Sequence, residues 1–89
     1  MIEKYINQII QGDCLEIMKN IPDSSVDLTF ADPPFNLKKR YNCYKDSKEF
    51  HEYLEWSKQW IYEMVRITKP TGSIFIHNIP NGLLIMRVF

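Results

Sequence analysis

At residues 26–36 the chain reads Val-Asp-Leu-Thr-Phe-Ala-Asp-Pro-Pro-Phe-Asn, an apolar run that stops at an acid, two prolines and an aromatic ring. Residues 26–30 have the length of a buried strand, which a proline cannot continue because it has no backbone N–H. Each proline restricts the residue before it, so Asp32 and Pro33 are predicted to be extended. Ligands bind at the carboxyl ends of strands in open α/β sheets. Residues 32–35 are therefore the candidate site, with an ordinary turn as the alternative.

Length and charge limit the classes of protein to consider. The 89 residues make one small domain at most, and 45% hydrophobic residues with a formal net charge of +0 are typical of a globular protein. A neutral chain is no globally basic nucleic-acid binder, although a local basic patch is compatible with it. The apolar stretches are too short to span a bilayer, so we expect a cytoplasmic protein.

The two cysteines, Cys14 and Cys43, carry little functional information. Neither has a His or Cys at ligand spacing, so no metal site is predicted, and two cysteines make no disulfide framework. We predict that both thiols are semi-buried side chains in a reducing compartment.

The sequence before residue 26 predicts a strand, a helix and a turn. Residues 5–11 have the composition of a short strand, and Gly12 ends the run. Asp13 is placed to cap a helix over residues 14–19, and residues 21–25 are typical of a turn. Together with the strand at 26–30, these elements predict one right-handed parallel βαβ unit.

A second βαβ unit is predicted by a helix over residues 48–69 and a strand over 73–77. Asp46 or Ser47 caps this helix, and Pro70-Thr71-Gly72 ends it. Its apolar positions form one stripe, which comprises Phe50, Leu54, Ser57, Ile61, Met64, Val65 and Thr68 and is widened by Tyr53, Trp60 and Ile67. For Trp56, Trp60 and Tyr62, packing in the core is favoured over stacking on bases.

Two further groups of polar residues flank the candidate site. His77 and Asn78 lie at the carboxyl end of the third predicted strand, on the same sheet edge as Asp32, where a plain polar strand end is favoured over a role in the pocket. The loop after the corner carries Lys38, Lys39, Arg40 and Lys45 without an acid, and Tyr41 and Tyr44 lie among them. Such a loop suits contact with phosphates and some stacking, and its alternative is a solvated surface loop.

In this order, the motifs resemble the amino-directed DNA methyltransferases, which methylate adenine N6 or cytosine N4 with S-adenosylmethionine. The shared segments are Gly12-Asp13-Cys14-Leu15, residues 21–28, Asp32-Pro33-Pro34-Phe35-Asn36, the basic loop, the Trp-containing helix and residues 69–75. The order is that of the permuted type, in which the Asp-Pro-Pro-aromatic motif precedes the cofactor glycine loop. The resemblance covers about residues 8–80. It implies an α/β, Rossmann-like sheet, of which about three parallel strands with helices are present here.

The resemblance also implies roles for matching residues. Asp32 and the main-chain carbonyl of Pro33 accept hydrogen bonds from the amino group of a flipped base, Pro34 completes the rigid corner, and Phe35 stacks on the base. Asp13 contacts the adenine moiety of the cofactor, and Asp32 also borders the cofactor site. The basic residues Lys38, Lys39 and Arg40 hold phosphates of double-stranded DNA. Asp at the first motif position favours adenine over cytosine.

Other family features are absent from residues 1–89, namely the Phe-x-Gly-x-Gly cofactor loop and a target-recognition segment. We therefore expect residues 1–80 to be the amino-terminal part of a catalytic domain, residues 81–89 to be a divergent tail, and the chain to be truncated and inactive alone. One alternative is a methyltransferase acting on RNA or on protein glutamine, whose motif usually follows the glycine loop. Another is a non-catalytic relic, or a fragment that complements a second chain.

Overall fold

A computed structural model describes residues 2–33 and 50–77. In chain order these residues form a 3-10 helix (Ile2–Tyr5), α1 (Cys14–Met18), β1 (Val26–Ala31), α2 (Phe50–Ile67) and β2 (Thr68–Ile76). The two strands pair in parallel, and α2 lies between them in the chain and contacts both α1 and β2. The described residues therefore contain the second predicted βαβ unit, which is consistent with part of a methyltransferase sheet.

The strand predicted over residues 5–11 is wrong. Tyr5 ends the 3-10 helix, residues 8–11 have no regular structure, and Ile9 is fully exposed. A strand is stabilised by hydrogen bonds to a neighbour, and no described residue pairs with this segment. The first predicted βαβ unit is therefore not formed, and the described sheet has two strands rather than about three.

The predicted helix and turn before β1 are confirmed. Asp13 caps α1, because its Oδ1 accepts a hydrogen bond of 3.0 Å from the backbone N–H of Leu15. The turn contains Ser24 at a φ of 49°, and the Ser25 hydroxyl donates to the carbonyl of Pro22 at 2.8 Å. Cys14 is exposed rather than semi-buried.

The junction between α2 and β2 differs from its prediction. The helix ends at Ile67 rather than at residue 69, and β2 begins at once with Thr68. Its hydroxyl donates to the carbonyl of Met64 at 2.6 Å and lies 3.0 Å from the hydroxyl of Thr29. The proposed caps of this helix, Asp46 and Ser47, lie outside the described residues.

The pairing of the two strands contains an irregularity near its start. Val26 pairs with Thr68 and Leu28 with Ser73, so two steps along β1 match five along β2. Residues 69–72, which include Pro70 and Gly72, absorb this excess, and from Ser73 onward the ladder is regular. The predicted strand at residues 73–77 is confirmed up to Ile76.

The buried face of α2 is rotated relative to the predicted stripe. The buried residues are Tyr53, Ser57, Trp60, Met64 and Ile67, followed by Thr68. Val65 was predicted to be in the core but is 56% exposed, and Leu54 and Ile61 are only half-buried. Core packing is confirmed for Trp60 and wrong for Tyr62, which is exposed. The side chain of Phe50 lies outside the described part of the chain.

One side chain, Arg66 of α2, joins α1 and the turn to the end of α2. Its guanidinium donates to the carbonyls of Met18 at 2.7 Å and Ile21 at 2.9 Å, and to the carboxylate of Asp23 at 2.6 Å. Two further hydrogen bonds, of 3.0 and 3.1 Å, reach the carboxylate of Glu63. These hydrogen bonds with Glu63 and then Asp23 raise the pKa of Arg66 above its ordinary value, so the side chain stays charged.

Backbone hydrogen bonds strengthen the same junction. The N–H groups of Ser24 and Ser25 donate to the carbonyls of Arg66 and Ile67 at 2.9 and 2.8 Å. The last carbonyls of a helix have no partner within the helix, so the turn caps α2. The start of β1 is thereby fixed beside the start of β2.

One face of the sheet is left uncovered within the described structure. Leu28 and Phe30 alternate along β1 and so share a face, and Phe75 pairs with Phe30. These three side chains are between 55% and 66% exposed, whereas Thr29 and Ala31 on the opposite face are half-buried. No helix in the described part of the chain is long and apolar enough to cross a bilayer.

Replacing Arg66 by lysine is expected to lower the free energy of unfolding by about 1–3 kcal/mol, because one ammonium cannot replace a planar fork of donors. Urea unfolding followed by tryptophan fluorescence measures the change. Lys19→Ala is the matched control. Its ion pair with Glu16 is exposed, so its effect should stay within about 0.5 kcal/mol. An Arg66→Lys variant as stable as the parent would contradict the role given to this side chain.

Gly72→Ala is expected to destabilise the strand pairing. A Cβ at this position would lie 2.7 Å from the carbonyl oxygen of Asp27 and 2.7 Å from Cγ2 of Thr68, so the backbone of β1 would have to move. We expect a loss of about 1–3 kcal/mol in the same unfolding measurement. Thr71→Ala, at the exposed neighbouring position, should change the free energy by no more than about 0.5 kcal/mol. Equal stability of the two variants would refute the close approach.

Candidate functional site

A cavity of about 340 Å³ lies where β1 ends. Its lining combines residues of three elements and of the corner after β1, namely Cys14, Met18, Phe30, Ala31, Asp32, Pro33, Trp56, Trp60 and Met64. The volume is within the range of small-molecule sites, at its lower end. The described residues therefore form a largely apolar cavity with Asp32 as its one carboxylate.

The first two residues of the predicted corner lie where the sequence placed them. Asp32 and Pro33 follow the last residue of β1 and line the cavity, and the side chain of Asp32 is exposed. The remaining predicted site residues lie outside the described parts of the chain, and these are Pro34, Phe35, Lys38, Lys39 and Arg40. The structure therefore describes the acidic half of the corner.

His77 contacts the site through Asp32. Its Nδ1 lies 3.0 Å from Oδ1 of Asp32, and its backbone N–H donates to the carbonyl of Ala31 at 2.9 Å. A carboxylate oxygen only accepts hydrogen bonds, so the proton of this contact belongs to Nδ1. His77 does not line the cavity, but its side chain contacts the carboxylate that does. Its neighbour Asn78 lies outside the described residues.

The aromatic wall of the cavity comes from α2. Trp56, Trp60 and Met64 are spaced by four residues and therefore share one helix face. The rings of Trp56 and Trp60 meet edge to face, with centroids 6.0 Å apart, and Trp60 is buried. The sequence analysis assigned these rings to packing and missed their place at the cavity. The four-residue spacing of these side chains, on the helix that follows the candidate site in the chain, could have predicted that they share a face beside it.

Asp13 lies at a different cavity from Asp32. This second cavity, of about 530 Å³, lies between the outer surfaces of α1 and α2. It is larger than the first but is lined mainly by charged side chains, some of which pair with one another, such as Lys19 with Glu16 and Lys58 with Glu55. The described residues therefore do not bring the two acids assigned to the cofactor, Asp13 and Asp32, into one cavity.

Cys14 contributes a neutral wall rather than a nucleophile. Although the residue as a whole is exposed, partial burial of its sulfur raises the pKa of the thiol, and the negative charge of Asp13 raises that pKa further. A raised pKa keeps the sulfur protonated at neutral pH, and the thiol is a far weaker nucleophile than the thiolate. The ionic chemistry of the cavity therefore rests on Asp32.

An acceptor at the edge of an apolar cavity suits a planar ligand that carries N–H groups. The aromatic and methionine side chains of α2 provide an apolar wall for the face of such a ligand, and the carboxylate of Asp32 provides an acceptor for its polar edge. No described group of three or more His, Cys, Asp or Glu side chains is arranged to hold a metal ion.

Residues 26–86 match the DNA methylase family of N6/N4 methyltransferases. The chain is 50% identical over 76 residues to the Type II methyltransferase M.BamHI of Bacillus amyloliquefaciens, a match that covers 84% of this chain and 18% of that protein. It is 39% identical over 69 residues to the Type II methyltransferase M.HpaI of Haemophilus parainfluenzae, covering 78% of this chain and 22% of the relative.

A third relative is named for its base. The chain is 40% identical over 70 residues to the DNA adenine methyltransferase YhdJ of Escherichia coli, covering 79% of this chain and 24% of that protein. The chain thus spans about a quarter or less of the length of these relatives.

Proposed function

This chain belongs to the N6/N4 DNA methyltransferase family, and on that premise we propose that it forms the base-binding corner of an enzyme that methylates the exocyclic amino group of a DNA base. The methyl donor is S-adenosylmethionine and the favoured target is adenine N6. The observation that carries the proposal is the cavity at the end of β1 that Asp32 and Pro33 line. The name of the relative YhdJ supports adenine, and this name together with the description of the matched family as a DNA methylase supports DNA over RNA or protein glutamine.

Asp32 is the proposed acceptor for the amino group of the base. The lone pair of an exocyclic amino nitrogen is delocalised into the ring, so this nitrogen is a poor nucleophile. The carboxylate and the main-chain carbonyl of Pro33 accept its two N–H groups, which raises electron density on the nitrogen and directs its lone pair. The nitrogen loses a proton once it has gained the methyl group, and Asp32 is the acceptor at hand. Such catalysis is mainly positioning and electrostatic stabilisation.

S-adenosylmethionine supplies, when bound, a methyl group on a good leaving group. Asp13 is the described residue proposed to contact its adenine moiety, and Asp32 is proposed to border the same ligand, which would have to extend from the cavity at Asp13 to the cavity at Asp32. Asp13 is exposed at the start of α1, and its Oδ1 is engaged by Leu15. Its Oδ2 accepts no hydrogen bond from the described residues, so this oxygen is the one assigned to the ligand.

The remaining assignments concern DNA and rest on the family motif. The amino group is unreachable inside a duplex, so the base must be flipped out before it enters the cavity. Phe35 is proposed to stack on that base, and Pro34 to keep the corner rigid. Lys38, Lys39 and Arg40 are proposed to hold the phosphates of double-stranded DNA, which fixes position without reading sequence.

A second role, as one part of a divided enzyme, is favoured by the uncovered sheet face. Leu28, Phe30 and Phe75 form an apolar surface next to the site. Further methyltransferase sequence in a second chain is the proposed cover for this face. That sequence would also supply the glycine loop, which residues 1–89 lack.

Asp32→Ala is expected to abolish methyl transfer in a chimera in which residues 26–86 of this chain replace their counterparts in the M.BamHI methyltransferase. We expect a fall in kcat of at least about 100-fold, because an electrostatic contact to the reacting group is lost, while the KM for S-adenosylmethionine stays within about threefold. Incorporation of tritiated methyl groups into DNA measures both.

Asp27→Ala provides the matched control for this chimera. Asp27 is an exposed acid of the same strand, paired with Lys69 away from the cavity, so its removal should leave kcat nearly unchanged. An inactive parent chimera would count against the proposed function. An Asp32→Ala chimera with full activity would count against the role of the corner.

The 89 residues alone are expected to transfer no methyl groups, and activity is expected when they are co-expressed with M.BamHI methyltransferase that lacks the matched region. Phe75→Asp should prevent co-purification of the two chains, because it charges the uncovered face. Tyr62→Asp charges an aromatic position of α2 that is also exposed, at 69% against 55% for Phe75, and should leave co-purification intact. Methyl incorporation by the isolated chain would refute the need for a complement.

A further inference from the structure

We propose that His77 is a positioning residue that orients the carboxylate of Asp32 for the amino group of the target base. Its Nδ1–H holds Oδ1 of Asp32, which leaves Oδ2 for the base. The inference rests on the proposed function and adds to it a residue that lies outside the Asp-Pro-Pro-aromatic motif. Three observations carry it: the backbone geometry, the donor chemistry and the exposure of the pair.

The backbone places the two residues beside each other independently of any loop. Ala31 and Ile76 are partners at the ends of β1 and β2, and Asp32 and His77 are the residues that follow them. The hydrogen bond of 2.9 Å from the backbone N–H of His77 to the carbonyl of Ala31 extends the ladder by one residue. The sheet itself therefore holds the imidazole within reach of the carboxylate.

The contact selects one orientation of the carboxylate. The last torsion of an aspartate side chain has a broad energy minimum, so an exposed carboxylate turns easily when nothing holds it. Here Oδ1 lies 3.0 Å from Nδ1 of His77, and no other described residue donates a hydrogen bond to Asp32. Among the described residues, this contact is the one that holds Oδ1, and Oδ2 is left as the oxygen for the base.

The exposure of the pair separates positioning from stability. The side chains of His77 and Asp32 are 65% and 61% exposed, and ion pairs or hydrogen bonds at such sites contribute little to folding. A variant that lacks the imidazole is therefore expected to fold normally while the carboxylate loses its fixed orientation. The effect should appear in kcat, because a small misplacement of a catalytic group is costly to rate.

Kinetics of the chimera that carries residues 26–86 test this role. His77→Ala should lower kcat about 10-fold and leave the KM values for DNA and S-adenosylmethionine within about twofold. His77→Asn should retain most of the kcat of the parent chimera, because the amide N–H of asparagine can occupy the position of the Nδ1–H group and donate to Asp32. Adding His77→Ala to Asp32→Ala should cause no further loss, because the imidazole acts through the carboxylate. His51→Ala, an exposed histidine of α2, is the matched control and should have no effect.

NMR of the 89-residue chain tests the contact without requiring activity. The chain has two histidines, so the side-chain nitrogens of His77 can be read against those of His51. In the neutral ring of His77 the proton should reside on Nδ1, and Asp32→Ala should move it to Nε2 while His51 is unchanged. A His77 spectrum unaffected by Asp32→Ala would overturn the contact.

The two experiments separate failure of this inference from failure of the proposed function. A parent chimera without activity overturns the proposed function, and the positioning role with it. An active parent whose His77→Ala variant retains its full kcat overturns the positioning role alone. A loss of kcat that His77→Asn rescues, together with the change in the His77 spectrum, establishes the role.

Discussion

The hydrogen bonds of Arg66 are the constraint on which the described structure depends. Residues before β1 form no strand, so they gain no support from the sheet, and the guanidinium gathers α1, the turn and the end of α2 around one point. Arginine suits this position because its donors lie in a rigid plane and can serve several carbonyls and carboxylates at once. The same point determines where β1 begins, because Ser24 and Ser25 cap the last turn of α2.

This junction also affects the candidate site at the other end of β1. Cys14 and Met18 belong to α1, and both line the cavity that contains Asp32. The carbonyl of Met18 also accepts a hydrogen bond from Arg66. The side chain that fixes the position of α1 therefore also fixes the position of part of the cavity wall. The candidate site is therefore formed by an acid at the end of a strand, an aromatic face of α2 and the short helix α1, which Arg66 holds in place.

The sequence predicted those features that depend on local chemistry. Pro33 has no backbone N–H to donate to the neighbouring strand, and β1 ends before it. Asp13 caps α1 because its carboxylate oxygen can accept a hydrogen bond from a backbone N–H of the first turn. The prediction of a strand at residues 5–11 was wrong because branched apolar residues indicate only that a segment is compatible with a sheet. They do not indicate that another strand is available to pair with it. The prediction that Val65 is buried was wrong because α2 packs with the face of Trp60 toward the core. The spacing of apolar residues alone does not determine which of two adjacent helix faces is buried.

The contacts missed by the sequence analysis are those between distant residues. Arg66 binds partners 43 to 48 positions away, and two of these are main-chain carbonyls that no side-chain pattern reveals. His77 and Asp32 are 45 positions apart. The sequence placed both at one sheet edge, but only the register of the strands brings them to hydrogen-bonding distance.

The contact between Asp32 and His77 depends on the correct register of β1 and β2. Side chains along a strand alternate between faces, so a slip of β2 by a single residue would carry the imidazole to the wrong side and set Ile76 or residue 78 against the acid. The irregular segment at residues 69–72 takes up the surplus length that makes the correct alignment possible. Molecules with a shifted register would therefore lack the contact between Asp32 and His77. The presence of this contact would thus report that the two strands have paired in the correct register.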